Sequence, residues 1–253
     1  MLKIGLNCLG FNCEEHLENV LHPWIILKQE KYPITISAVE GIFSETASLG
    51  YNFDDQTRKI LTNKHKSGWI DHLSLNRGPA KEHELRNIGL WPLLDDKVDY
   101  VWLLDLQDEV YTKENILNII KFIENSKFID FFHINMKNYV FDYDTYYEGF
   151  CPPRIWNNNA HNGIKCFYYD NNIEWCDGKK DINATNIKIS KSIAFVDHYS
   201  WVGSDQYLKR KVNFQMQHYG HCSYKFNEKL EFNDDYYKKN GESLPELIKV
   251  NKN

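Results

Sequence analysis

The chain has 253 residues, with 30 Lys and Arg against 35 Asp and Glu and a formal net charge of −5. That length suits one large α/β domain or two small ones, and a hydrophobic fraction of 42% with 15% aromatics excludes wholesale disorder. The acidic balance argues against a protein held to nucleic acid by a dense basic face, so no nucleic-acid partner is expected.

In chain order, residues 3–8 form a short apolar run that reads as a strand. From 14 to 27, Leu17, Val20, Leu21, Trp24 and Ile25 fall at i, i+3, i+4, i+7 and i+8, the apolar face of a helix. Residues 34–39 read as a second strand and 70–75 as a third. A helix over 81–94 draws its apolar side from Leu85, Ile88 and Leu90. Residues 100–104 are unbroken apolar sequence, as in strands buried on both faces of a parallel sheet. A helix over 115–123 follows, opened by Thr112 as N-cap with Asn115 three residues on. This alternation predicts an α/β domain, Rossmann-like, with a central mostly parallel sheet and helices on both faces.

The second half has a different texture. Residues 131–141 read as one strand, followed by a long loop rich in Tyr and Asp. Residues 154–156 and 165–169 are expected to pair around a turn cluster at 157–163. A strand over 188–196 and a helix over 204–218 complete the series. There is no internal repeat and no Pro/Gly/Ser linker, so residues 1–240 read as one domain, and 241–253 as a loosely ordered polar tail. No stretch reaches the roughly 18 apolar residues of a membrane helix, and the first residues lack a signal-peptide core. The protein is therefore expected to be soluble and cytoplasmic. The six cysteines show no C-x-x-C pair and read as buried apolar residues or free thiols. Cys13 and His16 could start a zinc site, but no second pair at zinc-finger spacing follows.

Chemistry concentrates in Asp105-Leu106-Gln107-Asp108-Glu109, where the apolar strand ends. Open α/β sheets bind their ligands beyond the carboxyl ends of the strands. Carboxylates converging there suit a hard divalent cation; they also suit a polar loop or a helix N-terminus. Upstream stand Asn76-Arg77-Gly78-Pro79-Ala80 and then Arg86-Asn87-Ile88-Gly89-Leu90, one helix length before the acidic strand end. The chain holds only five arginines against 25 lysines, which makes Arg86 and Arg154 conspicuous.

At these residues the chain resembles the family 2-type glycosyltransferases of the GT-A fold. Their pattern is a strand, a glycine-containing loop, a helix bearing Arg-Asn, and an apolar strand ending in Asp-x-Asp. The resemblance extends back to residues 7–15 and Glu40, and forward to 135–154 and His198-Tyr199-Ser200-Trp201. It implies a single GT-A domain with a nucleotide-sugar-binding half over 1–112 and an acceptor-binding half over 113–240. The implied reaction moves a sugar from a nucleotide-diphosphate sugar to the hydroxyl of a glycan or glycosylated acceptor, with inversion. Mn2+ or Mg2+ would stabilise the leaving diphosphate. The implied donor-binding residues are Glu40, Arg86, Asp105 and Gln107, and the implied metal ligands are Asp105, Asp108 and His198. Gln107 stands where the family has its second Asp, so Asp108 would take over the metal by a one-residue shift. His218 and His221 compete with His198. An inverting enzyme needs a carboxylate base, for which Asp177 and Glu148 are the candidates among several acids. Tyr143, Tyr146, Tyr147, Trp156 and Trp175 either stack on sugar faces or form core. Lys209, Arg210 and Lys211 read as a solvated basic face. Two other readings remain open: a catalytically inactive glycan-binding relative, which Gln107 favours, and a metal-dependent hydrolase using the Asp and His cluster.

Overall fold

The apolar runs of the first half become strands with almost no solvent contact. In the computed structural model, which describes residues 1–44, 56–76, 78–159, 184–218, 244 and 246–250, β1 (Ile4–Gly10) is buried at all seven positions. After it come α1 (Glu14–Gln29), β2 (Ile34–Glu40), α2 (Thr57–Lys66), β3 (His72–Leu75), α3 (Glu82–Asp95) and β4 (Tyr100–Asp105). β1 pairs in parallel with β2 on one side and β4 on the other, and β2 pairs in parallel with β3. The expected α/β architecture, a central sheet flanked by helices, is what the chain forms.

The remaining elements are β5 (Glu109–Val110), α4 (Lys113–Glu124), β6 (Phe131–His133), β7 (Met136–Val140), β8 (Thr145–Tyr147), β9 (Pro153–Asn157), β10 (Asn186–Lys188), β11 (Val196–Trp201), α5 (Asp205–His218) and β12 (Ile248–Lys249). The main sheet has the order β10-β6-β9-β4-β1-β2-β3, and a second sheet has the order β12-β8-β7-β11-β5. β9 runs antiparallel to both β4 and β6, so it reverses direction within an otherwise parallel sheet.

Two expectations are corrected here, and two elements are added to them. The apolar stretch 131–141 is two strands in two sheets, because the chain crosses over at Ile134 and Asn135. The Asn135 side-chain amide donates to Ile189 O at 2.6 Å, and Val196 N donates to Asn135 O at 3.0 Å. Likewise 188–196 is not continuous: its ends belong to β10 and β11. Helix α2, with its polar sequence, was not expected. In the tail, Ile248 and Lys249 pair with Tyr146 and Thr145, and Val250 N donates to Asp144 O at 2.8 Å. The expected strand at 165–169 lies outside the described residues.

The core packs α1 and α4 against one face of the main sheet. Trp24 meets Trp102 edge-on at 4.8 Å, and both meet the Tyr111 ring, whose hydroxyl accepts from Trp102 Nε1 at 3.2 Å. On the other face α3 lies close to β1 and β2: a Cβ at Gly89 would come within 3.0 Å of Asn7 Oδ1. That approach brings α3 over the strand ends, where Arg86 points. Among the described residues, no helix is long and apolar enough to cross a membrane.

Candidate functional site

The parallel register brings the sequence-derived residues into line. Gly10 is the partner of Glu40, and Leu9 is the partner of Asp105, so the ends of β2, β1 and β4 form one carboxyl edge. Glu40 is 2% exposed and accepts from Arg58 Nε at 3.1 Å. Burial pushes its carboxyl up, and the Arg58 guanidinium only partly reverses that. Arg58 sits on the unexpected helix α2.

Asp105 lies between two guanidiniums. Arg86 donates to Oδ1, and Arg154 Nη2 donates to Oδ2 at 3.1 Å. The Arg86 side chain is 3% exposed, with Asn7 O at 3.3 Å and Glu82 at 3.6 Å. The Asn7 amide in turn donates to Arg86 O at 2.8 Å, which locks this turn of α3 onto β1. Burial works against ionisation of Asp105, but Arg86 and Arg154 outweigh it and hold its pKa below the ordinary value. Arg86 is raised: burial opposes its charge, and Asp105 and Glu82 more than compensate. Arg154 also donates through Nε to Glu109 at 2.8 Å. Glu109 has no exposed side-chain surface. Burial, reinforced by Asp105 and Asp108, lifts its carboxyl above the usual range in spite of Arg154.

Asp108 forms a third buried pair. It accepts from the Lys211 ammonium on α5, and His198 Nε2 lies 3.5 Å from its other oxygen. The His198 ring is oriented through Nδ1 by Asn138 Oδ1 at 2.8 Å. Burial disfavours the Asp108 carboxylate, yet Lys211 and His198 dominate and hold its pKa well below the usual range. Lys211 is thus part of the site and not of a solvated basic face. A lysine within a charged triplet carries no sequence sign of burial. Arg58 and Asn138 were also missed, since each reaches the site through pairing with a residue distant in sequence.

Gln107 is half-buried in the turn between β4 and β5. Glu148 is paired with Lys191. Asp177, His221 and Trp175 lie outside the described residues. Cys13 Sγ accepts from Thr57 Oγ1 at 3.7 Å, and His16 Nε2 contacts Val202 O at 3.1 Å, so the pair is engaged structurally.

Asp105, Asp108 and His198 are not gathered into a three-ligand set: among the described residues no three His, Cys, Asp or Glu side chains are grouped to hold a metal ion. The chemistry of the donors explains why. Both oxygens of Asp105 accept from arginines, and both of Asp108 face Lys211 and His198. A divalent cation needs such oxygens free to coordinate. As arranged, these residues do not fit one.

No protein-family model matches the chain, and no curated protein matches it in sequence. Solved structures do. Residues 1-349 of S. aureus TarS superpose with a TM-score of 0.51 at 15% identity, over 85% of this chain and 72% of that one. The likeness is one of fold. TarS 1-349 in complex with UDP-GlcNAc gives 0.41 at 16% identity, over 56% of this chain and 36% of that one. Another TarS structure gives 0.42 at 15% identity, over 62% and 28%. Against these last two, the chain spans about a third of their length.

Proposed function

We propose that this chain is a glycosyltransferase of the GT-A type, which takes a nucleotide-diphosphate sugar as donor and an acceptor hydroxyl, that of a glycan, as acceptor. The observation that carries this reading is the placement of Glu40, Arg86 and Asp105 along one carboxyl edge of a parallel sheet. That edge is where open α/β folds bind nucleotides. TarS, which shares the fold, has been solved with UDP-GlcNAc and with UDP.

The roles follow from chemistry. Glu40, buried and acidic, accepts hydrogen bonds from the nucleobase or ribose. Asp105, held ionised by two arginines, accepts from the ribose. Gln107 adds a neutral donor and acceptor beside it. As the sugar leaves, negative charge grows on the diphosphate, and fixed positive groups lower the barrier most where that charge appears. Glu148 and Asp177 are the proposed bases for the acceptor hydroxyl in an inverting transfer. The donor is held mainly by the 1–112 half and the acceptor by the 113–240 half.

The test is a thermal-shift panel of nucleoside diphosphates and nucleotide sugars, followed by an assay for diphosphate release with each sugar. A stabilising shift and release with at least one donor are expected. No shift with any of them sinks the reading. A second reading, a glycan-binding relative without turnover, is favoured by Gln107 and by the internal pairing of every strand-end acid. It predicts a shift with glycans and no diphosphate release.

A further inference from the structure

At the end of β4 the expected position of a metal is already taken by a cation of the chain. Lys211 reaches Asp108 from α5, a helix that follows almost a hundred residues later, and its side chain is 9% exposed. Asp108 is anchored from the other direction too: Tyr199 N donates to its carbonyl at 2.9 Å. The ammonium lies 5.9 Å from the Trp201 ring centre and 5.8 Å from that of Tyr207, so its walls are aromatic.

An ammonium has three N–H donors. Among the described residues the hydrogen-bond partner of Lys211 is the Asp108 carboxylate. Within the described residues this leaves N–H donors for a further acceptor. A divalent cation at this position would have to displace Lys211 and leave a buried ammonium without its counter-ion, an arrangement that is strongly unfavourable. Arg86 and Arg154 hold Asp105 in the same way.

We propose that the Lys211 ammonium serves as the cation at the end of β4, bridging Asp108 to the diphosphate of the donor, so that nucleoside diphosphate binds here without a divalent metal. The proposal rests on the nucleotide-sugar reading above. The bridge has the connectivity that a carboxylate-held metal would have: carboxylate, cation, phosphate oxygen. It differs in making hydrogen bonds rather than coordinate bonds.

The experiment is calorimetric titration of the full chain with UDP and with GDP, once in EDTA and once in Mn2+. Wild-type affinities in the two buffers are expected to agree within about threefold. Lys211→Gln is expected to lose about tenfold or more in EDTA and to recover part of it in Mn2+, because Asp108 is then free to coordinate. Asp108→Asn added to Lys211→Gln removes the carboxylate as well and is expected to abolish the recovery in Mn2+. Wild-type binding that Mn2+ strengthens tenfold or more overturns this inference and leaves the nucleotide-sugar reading standing. So does a Lys211→Gln chain that binds as tightly as wild type in EDTA. Absence of heat with both nucleotides in both buffers overturns the nucleotide-sugar reading and the inference together.

Discussion

Arg86 and Asp105 form a hydrogen-bonded ion pair across the carboxyl edge of the sheet, and each stabilises the charged form of the other. Arg86 belongs to α3 and Asp105 to β4, so the pair ties the helix to the strand where a ligand would meet both. Arg86→Met leaves Asp105 with Arg154 alone and takes a buried charge away from Glu82 as well. Breaking such a pair by removing one partner costs about 3 kcal/mol or more. Asp105→Asn in the Arg86→Met background is expected to restore part of the loss. Urea unfolding of the two single variants and the double variant measures the coupling. Strictly additive effects would show that the pair contributes nothing to stability.

Helix α4 starts at a true cap. Thr112 Oγ1 accepts from Asn115 N at 3.1 Å, and the Asn115 side chain carries the contact onward to Phe195 O at 2.9 Å. Thr112→Ala removes the first of these and leaves a helix N–H without a partner. A loss of about 1 kcal/mol in chemical denaturation is expected, with nucleotide affinity unchanged. Serine at the same position should recover most of it.

The elements that were legible from sequence share one property: their patterns are local. β1, β2 and β4 are unbroken apolar runs, the Leu17–Val20–Leu21–Trp24 face spells out α1, and Thr112 announces α4. The carboxyl edge follows from parallel pairing, which is why Glu40, Arg86 and Asp105 could be placed together in advance. Where the sequence misled, the cause is non-local. Hydrophobicity continues smoothly from Phe131 to Val140, while the switch between sheets depends on Asn135 meeting Ile189 and Val196. Lys211 sits among other charges, and only the docking of α5 on the strand-end turn buries it. Arg58 is a surface-like residue on a polar helix until Glu40 draws it in. Counting acids at a strand end says nothing about which cations the rest of the chain brings to them: here Arg86, Arg154 and Lys211 meet Asp105 and Asp108.

The site contains two carboxyls whose effects on pH stability have opposite sign. Asp108 has a lowered pKa in the folded chain, so its contribution is present above the ordinary value of 3.8 and is lost as pH falls below it. Glu109 is pushed up to about 8, chiefly by burial, so its contribution is present below 4.5 and is lost as pH rises through 8. Thermal melts across that range should separate them. Asp108→Asn is expected to flatten the acid limb, and Glu109→Gln to flatten the decline on the alkaline side. A wild-type curve that is flat across both windows would contradict both assignments.

Glu40 gives the sharpest separation of binding from stability. It is buried and pairs with Arg58, whose side chain is 22% exposed and can turn to water if its partner loses charge. Glu40→Gln keeps the shape and the capacity to accept a hydrogen bond from Arg58 but removes the negative charge. A hydrogen bond to a charged group contributes about 1.5–3 kcal/mol, so losing the charged acceptor for the nucleobase or ribose should weaken UDP binding by about tenfold or more. The melting temperature of the free protein should move little, since burial already disfavours the ionised form of Glu40. Calorimetry with UDP and a thermal melt of the same sample read the two quantities. If the melt falls and UDP affinity holds, Glu40 is a structural partner of Arg58 and the donor-binding role assigned to the end of β2 is withdrawn.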